Sequence, residues 1–223
     1  MMEIKREDRR IRQTKEKLRN ALAELMKEKG FESIRIHDLT ERADINRGTF
    51  YLHYKDKYDL LEQNENEIIQ DIVHIHEEAK KTEHAKHPRP PSEPASIFVH
   101  LFEYLQENSD FIQVLLGKNG HYSFQTKLKT ILRENMLKKF LNAQLEKRML
   151  IPIEYFSSYV ISAHLGIIQQ WVEGGMKESP KEMALIITRI TFHQIIAKEE
   201  YPALKFEKPF QKESESMYNE RDK

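Results

Sequence analysis

The chain of 223 residues contains no cysteine, only seven glycines and one tryptophan, and it has no net charge. The absence of cysteine excludes disulfide bonds and thiolate chemistry, and it fits a cytoplasmic protein best. No apolar run reaches the ~18 residues that a membrane-spanning helix needs, so we expect no membrane partner. The chain also lacks a Gly-rich phosphate loop, a nucleophile elbow and an HExxH zinc motif. These absences disfavour an enzyme and leave a binding protein or an interaction scaffold.

Ten histidines are present, but their spacing does not favour a metal site. His74 and His76 are two residues apart on a predicted helix, where their side chains diverge. His84 and His87 lie in a proline-containing segment with no carboxylate-rich partner nearby. We therefore predict no catalytic residue, no metal and no cofactor. His164 lies among apolar residues, which suits either a hydrogen-bonded interior histidine or a residue lining a pocket.

Charge is distributed unevenly along the chain. Residues 1–57 carry 15 Lys and Arg against 11 Asp and Glu, whereas the remaining residues carry 21 against 25. A basic end on an otherwise acidic chain suits a contact with nucleic acid, because neutralising phosphates releases counterions. A solvated helix face explains the same charges, so composition alone leaves both interpretations open.

Apolar residues repeat at helical spacing throughout, and no segment alternates as a strand would. The sequence therefore predicts an all-α fold. The predicted helices are one that ends at Gly30, others over 36–43, 47–54, 56–80, 96–107, 109–117 and 124–147, one that begins near Pro152, and one that begins after Ser179 as a capping box with Glu182. Residues 80–95 hold four of the eight prolines and predict a loop, and the charged residues 199–223 predict a frayed tail.

Residues 36–61 have the features of a helix-turn-helix. Leu39 and Ala43 share one face of the first short helix, and the small Ala43 permits a close crossing of the second. Asn46 can cap the second helix by accepting a hydrogen bond from a backbone N–H of its first turn, and Asp56 is a candidate cap for the next helix.

The second short helix has two different faces. Phe50 and Tyr54, with Ile45, are predicted to pack inward. The opposite face displays Arg47, Thr49, Tyr51, Leu52 and His53. A polar and aromatic outer face that follows a tight turn is typical of a recognition helix for the major groove of DNA.

The segment NRGTFYLHYKDK, residues 46–57, resembles the recognition segment of the TetR family of transcriptional regulators. The similarity lies in its glycine, its Tyr-x-His-aromatic run and the lysine that follows, and in the end of the first helix at Lys29-Gly30-Phe31. The resemblance implies a homodimer with an N-terminal three-helix DNA-binding domain over 1–57. It also implies a helical ligand-binding and dimerisation domain over 58–198.

The resemblance further implies a set of DNA contacts. Base or phosphate contacts fall to Arg47, Thr49, Tyr51, Leu52 and His53, together with the capping residue Asn46. Gly48 would admit the backbone close to a phosphate, and Lys57 would contact the DNA backbone.

Two positions depart from the family's pattern. Asp44 stands where the family usually has a glycine in the turn, and aspartate adopts the left-handed conformation at some cost. Arg35 stands where the family commonly has a capping threonine. Arginine cannot cap a helix, but its guanidinium can reach a phosphate directly.

Expectations for the second domain concern assembly and regulation. The helices at 153–172 and 180–197 carry apolar residues on more than one face, which favours a dimer that packs them as a four-helix bundle. These residues are Ile153, Phe156, Val160, Ile161 and Ile167 in the first helix and Leu185, Ile186, Ile187, Ile190 and Ile195 in the second. The resemblance implies a near-palindromic DNA operator, a small-molecule effector and, as the usual outcome, repression. The candidate ligand pocket consists of Phe102, Phe111, Phe140, Tyr155, Tyr159 and His164.

Overall fold

A computed structural model describes residues 2–82, 93–117, 122–142 and 151–196. Within these ranges the chain forms nine α-helices and no strand, which confirms the predicted all-α fold. The helices are α1 (Met2–Lys29), α2 (Ile36–Arg42), α3 (Arg47–His53), α4 (Lys57–Thr82), α5 (Ser96–Glu107), α6 (Ser109–Leu116), α7 (Tyr122–Asn142), α8 (Ile153–Glu173) and α9 (Pro180–Ile196). A short 3-10 turn at Phe31–Ser33 separates α1 from α2.

Local sequence signals determine where several helices begin and end. α1 ends at Gly30, whose φ of 74° and ψ of 152° fall in a region that only glycine adopts readily. α9 begins with the predicted capping box: the Ser179 N–H donates to Glu182 Oε2 at 2.8 Å, and the Glu182 N–H donates to Ser179 Oγ at 3.3 Å. The predicted end of α1 and the predicted start of α9 are therefore confirmed.

Some predicted boundaries fall on residues beyond the description. α4 extends to Thr82, two residues into the predicted loop at 80–95, and residues 93–95 are not helical. Residues 83–92, the predicted end of the seventh helix after Asn142, and the predicted tail at 199–223 lie outside the described residues.

One hydrophobic core connects all of these helices. Leu18 and Leu22 of α1, Phe50 of α3 and Ile68 of α4 are fully buried, as is Phe102 of α5. α5 packs against α9 and α7 packs against α8, while α4 contacts α1, α5 and α7. α4 spans 26 residues, about 39 Å at 1.5 Å per residue, and so reaches from the first three helices deep into the second half of the fold.

A second connection runs from α1 to α6. Arg19 donates a hydrogen bond to Asn108 Oδ1 at 2.9 Å, and its guanidinium lies 5.0 Å from the centre of the Phe111 ring. Near the end of α1, Lys27 lies 2.8 Å from Asp110. The first helix is therefore held to the second half of the protein by packing and by polar contacts.

None of the helices in the ranges given above is long and apolar enough to cross a membrane.

Candidate DNA-binding surface

α2 and α3 form the predicted helix pair around a tight turn. Leu39, Ala43 and Phe50 are buried between them, as expected from their spacing. Asp44 occupies the turn with φ of 51°, so the left-handed conformation expected at this non-glycine position is present. The Ile45 N–H then donates to Thr40 O at 3.0 Å and closes the turn.

α3 is held at both ends by interactions that the sequence predicted. Asn46 Oδ1 accepts a hydrogen bond from the Gly48 N–H at 2.9 Å, which is the predicted cap. Tyr54 follows the last turn and is buried. Burial, with the nearby carboxylates of Glu67 and Asp59, raises the pKa of Tyr54 to about 12, so its hydroxyl stays protonated.

The outer face of α3 carries the predicted DNA-contacting side chains. Arg47, Tyr51 and Leu52 are exposed, while Thr49 and His53 are half-buried. The Arg47 guanidinium donates to the Tyr51 hydroxyl at 3.1 Å and lies 5.6 Å from the centre of its ring. This contact restricts the freedom of a long side chain that would otherwise lose entropy on binding.

Gly48 lies in the first turn of this face and has no steric reason within the protein to be glycine. A Cβ atom at this position would lie 3.6 Å from Asn46 Oδ1, an ordinary van der Waals distance. Alanine would also favour the helix. The exposed face of α3 therefore has no side chain at this position, and its backbone is uncovered there.

Lys57 has a role that sequence reasoning did not anticipate. Its Nζ donates to the backbone oxygens of Phe31 at 3.1 Å and Glu32 at 2.8 Å, and lies 4.8 Å from the centre of the Phe31 ring. The Lys57 side chain is only 14% exposed. The ammonium is engaged within the protein, so a phosphate contact by Lys57 would require it to exchange these partners.

Lys55 and Tyr58, which sequence reasoning passed over, lie beside Lys57 and are exposed. The Lys55 backbone N–H donates to Asp59 Oδ2 at 2.8 Å, and the exposed ammonium interacts electrostatically with the same carboxylate but forms no salt bridge with a described residue. The Tyr58 hydroxyl donates to Glu32 Oε2 at 3.2 Å. The KDK sequence contains both lysines, but nothing in it indicates that Lys57 is bound to backbone oxygens while Lys55 is exposed.

Arg35 precedes α2, and its side chain does not cap the helix, as predicted. Instead, the Arg35 backbone N–H donates to Asp38 Oδ2 at 2.8 Å, and Lys29 Nζ lies 2.7 Å from the same oxygen. These two donors, Lys29 first, hold the pKa of Asp38 below its usual value. The Arg35 guanidinium is exposed and has no partner among the described residues, so it is available to an anion.

α2 is also anchored to α1 through Arg42. Its guanidinium contacts Glu24 at 2.8 Å and forms a two-point contact with Glu28 at 2.8 and 2.9 Å. The hydrogen bonds from Arg42 lower the pKa of Glu28. All three groups lie near the surface, so the ion pairs orient α2 more than they stabilise it.

The described members of the candidate ligand pocket differ widely in burial. Phe102 and Phe111 are core residues, and Phe102 packs edge-to-face against Trp171 with ring centres 5.1 Å apart. Tyr155 and Tyr159 are 72% and 61% exposed on α8. Phe140 lies outside the residues whose side chains are described. Two of the described aromatic residues thus lie in the core and two on the surface, and the ligand pocket stays a prediction.

His164 is the half-buried member of that set. Its Nε2 lies 2.8 Å from Thr191 Oγ1, and its ring packs edge-to-face against Phe98 at 5.3 Å. Burial lowers the pKa of His164 to about 4, so the imidazole is neutral at pH 7. These contacts favour the hydrogen-bonded interior histidine of the two interpretations. Two surface depressions, of about 400 and 310 Å³, are lined by none of the candidate residues whose side chains are described.

An all-helical fold with a capped helix-turn-helix is typical of DNA-binding proteins. Residues 18–63 match the family described as bacterial regulatory proteins, tetR family, and residues 92–193 match the family described as transcriptional regulator C-terminal region. The chain belongs to the TetR family of transcriptional regulators. Proteins of this family are DNA-binding regulators of transcription.

Individual relatives are distant. The uncharacterized HTH-type transcriptional regulator YxbF of Bacillus subtilis is 23% identical over 176 residues, which are 75% of this chain, and the chain spans 42% of the length of that relative. The TetR transcriptional regulator from Streptococcus agalactiae 2603V superposes with a TM-score of 0.53 at 19% identity, over 82% of this chain and 96% of that one. The regulator FadR from Bacillus subtilis, in complex with stearoyl-CoA, gives a TM-score of 0.51 at 15% identity, over 78% and 95% of the chains. At these identities the solved structures show a shared fold.

Proposed function

We propose that the chain regulates transcription by inserting α3 into the major groove of a specific operator. The observation that carries this proposal is the face of α3, where Arg47, Tyr51 and Leu52 are exposed beside the bare backbone of Gly48. Thr49 and His53 flank the same face and complete the set of residues proposed to read base edges. Asn46 fixes the register of the helix through its cap.

The phosphate contacts are assigned by exposure. Arg35 and Lys55 each present an exposed charged group that forms no salt bridge in the described part of the chain, and in sequence they precede and follow the helix pair. We therefore assign the flanking phosphates to Arg35 and Lys55, and to the backbone at Gly48. Lys57 contributes by holding the beginning of α4 against the 3-10 turn.

The protein is proposed to act as a homodimer through α8 and α9. Tyr155 and Tyr159 are four residues apart and exposed on one face of α8, and Ile186 is exposed on α9. Large apolar side chains on two neighbouring helices favour burial against a second copy. Three residues of the predicted interface, Ile153, Ile161 and Ile187, are buried within their own chain and belong to its core instead. The remaining described members, Phe156, Val160, Ile167, Leu185 and Ile190, are half-buried. Ile195 lies outside the residues whose side chains are described.

A dimer of this kind would read two half-sites. Its two recognition helices should lie about 34–36 Å apart to enter successive major grooves, which requires a near-palindromic duplex. We retain the division into a DNA-binding domain over 1–57 and a regulatory domain over 58–198 for this proposal, with α4 as the element common to both.

Regulation is proposed to follow from a small-molecule effector in the second domain. α4 and the contacts of α1 with α6 join that domain to the helix-turn-helix, so a change in the second domain can alter the spacing of the recognition helices. The solved FadR is in complex with stearoyl-CoA, which supports an effector of some kind for a protein of this fold. We propose repression in the cytoplasm as the outcome, with the effector releasing DNA by linkage.

The test of DNA binding is selection of duplexes from a random-sequence pool by the full-length protein, followed by titration of the selected consensus. We expect enrichment of a near-palindrome. Tyr51→Ala should weaken binding of that consensus by about 1–3 kcal/mol and reduce the difference in affinity between the consensus and unrelated DNA. Failure to enrich any sequence would overturn the proposal.

A further inference from the structure

Leu52 is an aliphatic side chain displayed on a polar surface. It is 80% exposed, among the highest values of the large hydrophobic residues that the structure describes. Its nearest neighbours in sequence on the same outer face are Tyr51 and His53, and Lys55 follows. Single exposed leucines are common on protein surfaces, so exposure alone assigns nothing. The position within the proposed DNA-reading face is what distinguishes this leucine.

The residue one turn earlier leaves Leu52 uncovered. A helical side chain leans over the turn that precedes it, so the side chain of Leu52 lies above Gly48. Gly48 has no side chain, and the space in which its Cβ would stand is open apart from Asn46 Oδ1 at 3.6 Å. The isobutyl group of Leu52 is therefore an uncovered apolar group on the exposed face of α3, with no side chain at position 48 to shield it.

The chemistry of the groove limits what this surface can recognise. Leucine neither donates nor accepts a hydrogen bond, so it cannot read the nitrogen and oxygen atoms of base edges. In the major groove the apolar group on a base edge is the C5-methyl of thymine. Bringing the two together removes apolar area of both from water.

We propose that Leu52 is a specificity residue that reads the C5-methyl group of one thymine in each operator half-site. This inference rests on the proposed function, because it requires α3 to lie in the major groove. It adds a statement about the operator that the presence of a helix-turn-helix does not supply. Each half-site contains a thymine whose C5-methyl group contributes to affinity independently of base pairing.

The experiment removes that methyl group without altering base pairing. The duplex enriched by the full-length protein from a random pool is the probe, and each thymine of one half-site is replaced in turn by deoxyuridine. We expect one position at which uracil lowers the affinity of the unaltered protein about fourfold, the value that corresponds to one buried methyl-sized group. Leu52→Ala should bind the thymine and uracil duplexes equally at that position.

Two variants serve as controls. Leu52→Met keeps an apolar side chain of similar volume and should retain most of the difference between thymine and uracil. Lys55→Ala should weaken both duplexes alike and keep their ratio at about fourfold, because it is proposed to contact phosphate. Because the Leu52 side chain is exposed, Leu52→Ala leaves the core intact, and thermal unfolding should confirm this.

The outcomes separate this inference from the function on which it rests. If a consensus is enriched but the ratio of thymine to uracil affinity is the same in Leu52→Ala and the unaltered protein at every position, Leu52 does not read a methyl group and the inference is overturned. If no sequence is enriched, the proposed function itself fails.

Discussion

Lys57 Nζ donates a hydrogen bond to the backbone carbonyl oxygen of Glu32 at 2.8 Å. Lys57 is the first residue of α4, where the positive end of the helix dipole disfavours a cation. Two carbonyl oxygens, from Phe31 and Glu32, compensate by accepting hydrogen bonds from the ammonium. The lysine thus ties the beginning of α4 to the 3-10 turn that follows α1, and so helps to set the direction of the long helix relative to α1.

This geometry predicts that the two lysines of the KDK segment have different roles. Lys57→Met should lower the free energy of unfolding by about 1–2 kcal/mol in urea denaturation, because the backbone oxygens of Phe31 and Glu32 lose a charged donor. Lys55→Ala should leave stability within about 0.5 kcal/mol but reduce the salt dependence of operator binding by about one unit per protomer. If Lys57→Met kept full stability and flattened the salt dependence, the phosphate contact would belong to Lys57, as the family resemblance implied.

Gly48→Ala tests the exposed backbone of α3. Since the added Cβ meets only Asn46 Oδ1 at 3.6 Å, stability should be unchanged or higher by up to about 1 kcal/mol. Operator affinity should fall at least tenfold, about 1.4 kcal/mol, because the methyl group occupies the space proposed for a phosphate. Operator affinity is measured by titration with DNA and the free energy of unfolding by urea denaturation, on the same preparation of each protein. Unchanged affinity would show that the DNA backbone does not approach this residue.

The dimer interface can be tested on α8. Replacing both Tyr155 and Tyr159 with serine should shift the protein from dimer to monomer in light scattering at micromolar concentration, because their exposed rings are proposed to be covered by a second copy. Tyr51→Ser is the matched control, since it removes an exposed tyrosine from the DNA-binding face and should leave the dimer intact. A double variant that remains dimeric would place the interface elsewhere.

The helix boundaries and the inward faces were predictable because both depend on local chemistry. Glycine at the end of α1, the Ser179 capping box and the Asn46 cap each act within four residues of their position. Spacing of three to four residues likewise placed Leu39 and Phe50 inside. The outer face of α3 followed as the complement of that buried face.

Contacts distant in the chain were not predictable from the same signals. The partners of Lys57 are backbone carbonyls 25 and 26 residues away. Because every residue has a backbone carbonyl, the residue types do not indicate which carbonyls the lysine contacts. The burial of the candidate pocket residues was not predictable for a related reason. α8 has apolar residues on several faces, so composition could not tell the exposed Tyr155 from the buried Ile161. Which face a helix buries depends on neighbours that only the fold supplies.

His164 gives a prediction for stability against pH. The pKa of His164 is lowered from 6.5 to about 4 by burial, so the unfolded chain takes up this proton more readily than the folded one. Stability is therefore highest above pH 6.5 and falls as the pH decreases towards 4, below which this residue contributes no further loss. Linkage gives a loss of about 2 kcal/mol from this residue between pH 7.5 and pH 5.0.

The measurement compares urea unfolding of the unaltered protein and His164→Gln at those two pH values. The variant is expected to be less stable at pH 7.5, since it disturbs the contact with Thr191 and the packing against Phe98. It should nevertheless lose about 2 kcal/mol less than the unaltered protein on acidification, because the remaining nine histidines and all carboxylates are common to both. Equal losses would mean that His164 is protonated in the folded protein at pH 5.0 and that its ring reaches water through a route that the packing of α5, α8 and α9 does not show.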